Sequence, residues 1–422
     1  MIGPIHPMNR LGDPEFQEVA ELFRGADAGF ANQEGAILDL SRFAGYPAAE
    51  TGGGYPTRRP SHATEVRDMG ISMVSVANNH ATDYGSEGLT ETLKNLSRAG
   101  VIAGGAGLSE PAARSPVYLH TPKGVIGLVA TASTFPPSSV PGPAIEAQET
   151  SSKPRPGISA LRVRNVRLLP QALLEDLRQI AGPFATREGA ALRISDQVFK
   201  KAETIGTRWE MNPSDESAVL DAVDVARARA DLVLFAIHAH ETAGELDEPP
   251  PVPYEPMVLH KANEAPSPDD PRPASFEIEL FHSAVDHGAD IAVRTGPHVM
   301  SGIEIYKGKA IFYSLGSLFL DFGGARVFST PTGGTIVVPD SWYEGFVPVC
   351  EFRSRQLRAV KIYPIAIESD AGSRSGMPSI ARGDRARAIL SRLQELSATF
   401  GTEMTISDDL GLIRIPGSVS HA

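Results

Sequence analysis

Four stretches of this chain end an apolar run with side chains that carry nitrogen and oxygen donors. They are Asn32-Gln33-Glu34 after residues 28–31, Asn78-Asn79-His80-Ala81-Thr82-Asp83 after 71–76, His238-Ala239-His240-Glu241 after 231–237, and Arg294-Thr295-Gly296-Pro297-His298 after 290–293. Carboxylate, amide and imidazole groups arriving on successive loops can assemble a mononuclear or dinuclear site for a borderline metal. Any one junction alone also reads as a turn with capping residues. Four together point to one shared site.

The elements that must position these residues are strands that alternate with helices. Residues 14–25 predict a helix, 28–31 a strand, 64–69 a helix, 71–76 a strand, and the stretch from Gly85, with Leu89, Leu93 and Leu96 at helical spacing, a helix. Strands follow at 125–130, 231–237 and 290–293, with helices at 215–230 and 276–288 before the last two. This pattern is α/β architecture, in which ligands bind beyond the carboxyl ends of the strands. Residues 136–165 are rich in Pro, Ser and Gly and predict a long loop, and 170–211 an insertion with a helix at 171–180. Residues 245–272, with Pro249-Pro250-Pro251, predict a second loop beside the site. A hairpin around Lys307-Gly308, two strands within 346–366 and an amphipathic helix at 381–400 complete the chain. The expected division is a main domain over 1–366, with insertions at about 136–211 and 245–272, and an extension over 367–422 packed on its body.

Composition narrows the partners. The 422 residues carry a net charge of −12, which argues against nucleic acid as the main partner because phosphate binding needs a basic face. No apolar run reaches about 18 residues, and the N-terminus lacks a basic region followed by a hydrophobic stretch, so no membrane role is expected and the cytoplasm is the default location. Cys350 is the single cysteine and predicts a buried small residue. Arg155, Arg162 and Arg164 lie close in sequence; they suit either a substrate carboxylate or phosphate, or a solvated loop flank.

The series Asn32-x-Glu34, Ala77 to Asp83, Gly104 to Gly107, His238-x-His240-Glu241, Gly296-Pro297-His298 and Ile303 to Gly316 resembles the CapA group of capsule and poly-γ-glutamate biosynthesis proteins. Ala132-Ser-Thr-Phe135 and Arg155-Pro-Gly157 resemble its soluble branch. The resemblance implies a calcineurin-like, metallophosphatase-type layered α/β sandwich with loop insertions. It also implies a divalent metal, Mn, Zn or Mg, held by Glu34, Asn79, His238 and His298. His80 would be the general acid or electrophile, with Asp83 orienting it and His298 a further catalytic candidate. Asn78, His240, Glu241 and Arg155 would face a small-molecule or peptide substrate.

Two departures from that pattern leave the ligand set incomplete. Members of the group usually begin with a strand ending in Gly-Asp, and here Met1 stands at about the place just past it, so either roughly ten more residues with that strand are encoded upstream or the site has lost a ligand. Gly12-Asp13 precedes a helix and follows no apolar strand. Thr295 stands where the soluble branch usually carries His, so an imidazole has become a hydroxyl. Metal-dependent hydrolysis of an ester, phosphoester or amide is therefore the leading expectation. A metal-independent peptide epimerase, with His298 or His80 as base, comes second. A non-catalytic factor in polymer biosynthesis is the third.

Overall fold

The computed structural model describes residues 12–48, 55–135, 153–242, 271–329, 335–370 and 372–415. The first three parallel strands are each reached through a helix. α1 (Pro14–Arg24) leads to β1 (Phe30–Asn32), α2 (Ser61–Asp68) to β2 (Met73–Ser75), and α3 (Gly85–Ala99) to β3 (Ile102–Gly104). They form a sheet in that order, with Phe30 opposite Met73 and Met73 opposite Ile102. Asp13 is the N-cap of α1, its carboxylate accepting from Glu15 N at 3.0 Å and Phe16 N at 3.1 Å, and it also pairs with Arg374. That capping explains why Gly12-Asp13 belongs to a helix start.

A second sheet of six strands faces the first. It contains β4 (Val117–Thr121) and β5 (Gly124–Ala132), then, after α4 (Pro213–Arg227), β6 (Leu232–His238). α5 (Ser275–Asp286) leads to β7 (Ile291–Thr295), and the hairpin β8 (Ile303–Tyr306) and β9 (Lys309–Phe312) closes the edge. The order is β8-β9-β7-β6-β5-β4, with β5, β6, β7 and β9 parallel. β6 is a nearly continuous apolar run because it lies in the middle of a parallel sheet covered on both faces. Met73 of β2 packs with Leu128, Leu234 and Val293 of the second sheet in one apolar core.

A third sheet carries β10 (Glu344–Arg353) and β11 (Gln356–Ile367), continued by strands Leu410–Arg414 and Thr405–Ser407 and covered by α6 (Gly383–Ala398). β11 pairs on one side with β10 and on the other with chain from beyond residue 370, so a boundary at 366 falls inside one sheet. The apolar face of α6, with Ile389, Leu390 and Leu393 fully buried, joins the same core as Val293 and Met300. Cys350 lies half-buried on β10, and burial pushes its thiol up to about 12. Among the described residues no helix is long and apolar enough to cross a membrane.

The insertion is more structured than its sequence suggests. Besides the expected helix, Gln171–Ala181, it builds a five-stranded sheet from Val163–Leu169, Ala185–Glu188, Ala191–Ile194, Gln197–Lys201 and Gly206–Met211. Most of the loop expected at 136–165, at 136–152, lies outside the described residues, as does 243–270 of the second loop and residues 1–11 near the expected first strand. Asp215, on the first turn of α4, ties the insertion to the body: it takes Arg162 Nε at 2.6 Å, Arg162 Nη2 at 2.7 Å and Arg114 Nη2 at 2.7 Å. Arg162 thus serves as a brace and not as a substrate group, and Arg164 pairs with Glu188 and Glu210.

Burial opposes ionisation of Asp215, but these hydrogen bonds outweigh it and hold the carboxyl below its usual range. A depressed pKa means the unfolded chain binds the proton more readily, so this stabilisation is full above about pH 4 and fades as pH falls through the folded value. Asp215→Asn is expected to cost about 2 kcal/mol at pH 7. Urea unfolding of both proteins at pH 7 and pH 3 checks it: the difference should shrink at the lower pH.

Candidate functional site

The carboxyl ends of β1, β2, β6 and β7 bring their donor residues to one buried cluster. Asn78 organises the β1 and β2 ends, donating from Nδ2 to Gln33 O at 2.8 Å and to Asn32 Oδ1 at 3.3 Å, while its Oδ1 accepts from His80 N at 3.1 Å. It is fully buried and belongs to the frame of the site, behind the groups that could meet a substrate. His80 Nδ1 lies 2.8 Å from Asp83 Oδ2. An ionised Asp83 only accepts, so the imidazole carries its proton on Nδ1 and turns Nε2 into the cluster, 4.0 Å from Glu34 Oε1. Burial pushes the Asp83 carboxyl up, against the pull of His80.

His238 is the hub. Its Nδ1 lies 3.3 Å from Asn32 Nδ2 and 3.2 Å from Thr295 Oγ1; its Nε2 lies 2.9 Å from Asn79 Oδ1 and 3.2 Å from His240 Nε2. Asn32 Nδ2 also reaches Glu34 Oε2 at 3.2 Å, which links the carboxylate to the hub. His298 closes the other side, its ring 6.4 Å from that of His240 and 4.6 Å from Trp342. Ser317 Oγ stands 3.4 Å from His298 Nδ1, and the buried Nε2 has no hydrogen-bond partner among the described residues.

Charge in the cluster follows from burial. Desolvation pushes His238 down to about 3 and His298 to about 4, and it lowers His240 well below the usual imidazole value. Burial also opposes ionisation of Glu34, but the pull of His238, His80 and His298 is among the effects that outweigh it, so its carboxyl titrates below the usual range. The state at neutral pH is one carboxylate among neutral imidazoles of His238, His240 and His298. That is the protonation state metal ligands require.

The donors fit a divalent ion in chemistry. Ligands about 2.1 Å from a common ion stand about 3.0–3.4 Å apart, close to the 2.9 Å from His238 Nε2 to Asn79 Oδ1 and the 3.2 Å from it to His240 Nε2. Among the described residues no group of three His, Cys, Asp or Glu side chains is placed to hold an ion. Thr295 contacts the Nδ1 side of His238, away from that convergence, and so orients the ring.

Besides Asn78, the placements of His240 and Glu241 differ from sequence expectation. His240, expected behind the ligands or facing substrate, has its Nε2 beside that of His238. Glu241 is buried, its carboxylate accepting from Ser133 Oγ at 2.8 Å and Thr134 Oγ1 at 3.1 Å, which ties the ends of β5 and β6 together and leaves it a structural role. Arg155 is exposed, and the next residue, Pro156, accepts from Ser86 at the start of α3 at 3.3 Å. Sequence reasoning missed Trp342 and the pair Arg294–Glu277. Arg294 Nε lies 2.9 Å from Glu277 Oε1 and 3.1 Å from Ala239 O, and the guanidinium also reaches Glu241 O, fixing the loop that carries His240. The only sequence signal for Arg294 was a charge at the end of an apolar strand.

Comparison with known proteins agrees with the order of these motifs. The chain is 33% identical over 439 aligned positions to the uncharacterized protein y4sH of Sinorhizobium fredii, covering 95% of this chain and 89% of that protein. It is 24% identical to the PGA biosynthesis protein CapA of Bacillus subtilis, over 74% of this chain and 58% of that protein, and 24% identical to the capsule biosynthesis protein CapA of Bacillus anthracis, over 76% and 57%. A hypothetical protein from Thermus thermophilus superposes with a TM-score of 0.39 at 13% identity, over 86% of this chain and 96% of that one. Residues 6–266 and 257–321, which contain every residue of the cluster except Trp342, match the bacterial capsule synthesis protein family PGA_cap, and the chain belongs to that family.

Proposed function

We propose that this protein hydrolyses an ester, phosphoester or amide bond in a small or peptide-like substrate, on a metallophosphatase-like frame and with a divalent metal. The observation that carries the reading is the buried His80–Asp83 pair aimed at Glu34 beside imidazoles held neutral. Asn79, His238 and His240 would hold the ion, with Glu34 and His298 nearby in the same buried cluster. Bound there, the metal supplies Lewis-acid polarisation of the scissile group. His80 Nε2 donates a hydrogen bond or proton to the substrate oxygen in its protonated form, and Asp83 fixes the ring. Trp342 and Ser317 hold His298, and the exposed Arg155 would offer a positive charge to an anionic substrate. The names of the two Bacillus relatives, which speak of PGA and capsule biosynthesis, support a substrate drawn from polymer biosynthesis.

Among the described residues Glu34 is the one carboxylate that acts on the imidazoles of His238, His240 and His298, and that scarcity favours a second reading. In it His298 or His80 removes an α-proton from a peptide without metal, and the neighbouring amides hold the carboxylate. Hydrolysis of bis(p-nitrophenyl) phosphate and p-nitrophenyl acetate separates the two. The first reading expects turnover that rises at least about tenfold with Mn²⁺ or Zn²⁺, a change of roughly 1.4 kcal/mol, and is abolished by EDTA. Metal-indifferent exchange of a peptide α-proton for deuterium, with no hydrolysis, would establish the second. Neither activity would leave a non-catalytic role in polymer biosynthesis.

A further inference from the structure

Among the described residues three buried polar atoms in one part of the molecule meet no hydrogen-bond partner: Asp321 Oδ2, Tyr343 OH and Arg326 Nη1. Their neighbours place them together. The loop after β11 is closed by Glu368 N donating to Met377 O at 2.9 Å and Gly376 N to Glu368 O at 2.8 Å. From this loop Ser375 Oγ donates to Asp321 Oδ1 at 2.6 Å, and Ser369 Oγ accepts from Arg326 Nη2 at 3.0 Å. Gly376, at φ +75°, lies against Asp321, whose side chain fills the room a Cβ would need. The Arg326 guanidinium carbon stands 4.5 Å from the centre of the Tyr343 ring, and its Nη2 also pairs with Asp340 Oδ1 at 3.0 Å. Burial pushes the Tyr343 phenol up, Arg326 pulls it down and Asp321 pushes it up, so the hydroxyl lies in the field of both charges.

An ionised carboxylate only accepts, a guanidinium only donates and a phenol does either. Asp321 and Tyr343 are 4% and 2% exposed, whereas the Arg326 side chain is 35% exposed and marks the open side. Leaving such groups unpaired costs about 1–3 kcal/mol each, and more for a charge. Asp321 Oδ2 and Arg326 Nη1 are opposite in charge and braced by one loop, yet they make no bond to each other. A group that satisfies both donates to the first and accepts from the second. A simple anion is repelled by Asp321 and a simple cation by Arg326; a small zwitterion suits the pair. We propose that this pocket binds a free α-amino acid, its ammonium on Asp321 and its carboxylate on Arg326 and the Tyr343 hydroxyl. The ligand holds the turn Asp340–Tyr343 in place, and with it Trp342, whose ring lies 4.6 Å from that of His298. The pocket thus adjoins the candidate site and uses none of its donors.

The chain has two tryptophans, Trp209 and Trp342, so a Trp209→Phe protein reports from Trp342 alone. Titration with glycine and with L-alanine should change its fluorescence saturably and raise Tm. Acetate and methylammonium, each carrying one half of the ligand, should bind at least about tenfold more weakly than glycine. Asp321→Asn keeps an acceptor for Gly323 N and Ser375 Oγ, and Tyr343→Phe removes only the hydroxyl; each should weaken glycine binding at least about tenfold. Neither a fluorescence nor a Tm response to the two amino acids would overturn the proposal and leave ordered water as the partner of the three atoms. Equal affinity for glycine and acetate would also overturn it, as the sign of a plain anion site at Arg326, and so would unchanged affinity in both variants. The readout is binding alone, so its outcome is independent of whether the protein hydrolyses a substrate.

Discussion

Arg294→Met is expected to destabilise the protein by about 3 kcal/mol, because it removes a fully buried guanidinium together with the hydrogen bonds it donates. Arg294 is 1% exposed and Glu277 is fully buried, so no solvent replaces the lost guanidinium. The substitution also strips the donors from the carbonyls of Ala239 and Glu241 on the loop carrying His240. Glu277→Gln should cost far less, since the amide oxygen can still accept from Ala274 N, which lies 2.8 Å from Glu277 Oε2. The two variants also separate in pH. Burial pushes Glu277 up to about 8 from 4.5, against the pull of Arg294. The folded protein then holds this proton more tightly than the unfolded chain, so stability falls as pH rises from about 4.5 towards 8. Glu277→Gln removes that slope. Chemical denaturation of the three proteins between pH 5 and 8 reads it, and an Arg294→Met loss under about 1 kcal/mol would show that the pair is dispensable.

The strands Leu232–His238 and Ile291–Thr295 were legible because they are largely buried and therefore read as apolar runs that stop abruptly at polar residues, and half-buried Phe30–Asn32 ends in the same polar step. Phe30–Asn32, Leu232–His238 and Ile291–Thr295 all lie within two residues of where their composition places them. The sheet inside the insertion was not legible for the opposite reason. Its strands carry Arg164, Arg167, Arg187, Arg193 and Lys200 on solvated faces, where ion pairs such as Arg193–Glu188 take the place of an apolar core. Its one core cluster is small, built on Val166, Ala191 and Val198. Within the site, residue types announced the donors but not their partners. That Asn78 is a brace, that Glu241 turns to Ser133 and Thr134, and that Arg294 meets Glu277 depend on how loops distant in sequence meet. Trp342 gave no signal at all, since it reaches His298 from a short helical turn, Asp340–Tyr343, after the hairpin.

His80→Ala should lower kcat for metal-stimulated hydrolysis by about 10²–10⁴-fold, the usual contribution of a positioned general acid or base. The ring does not belong to the convergence of Asn79, His238 and His240, so divalent-ion affinity by calorimetry should stay within about threefold, under about 1 kcal/mol. That pairing of results is what separates a proton donor from a ligand. Asp83→Asn tests the support of the same ring: the amide can accept from Nδ1–H but can also turn its NH₂ towards it, so a smaller loss of about 10–100-fold is expected. The Asp83 carboxylate is fully buried against His80, so a loss of fold has to be distinguished from a loss of orientation. Unfolding curves of each variant settle that, because an Asp83→Asn protein with wild-type stability and reduced kcat has lost only the orientation of its imidazole. A His80→Ala protein with unchanged kcat would take the proton-donor role away from His80 and leave hydrolysis to the groups around His238.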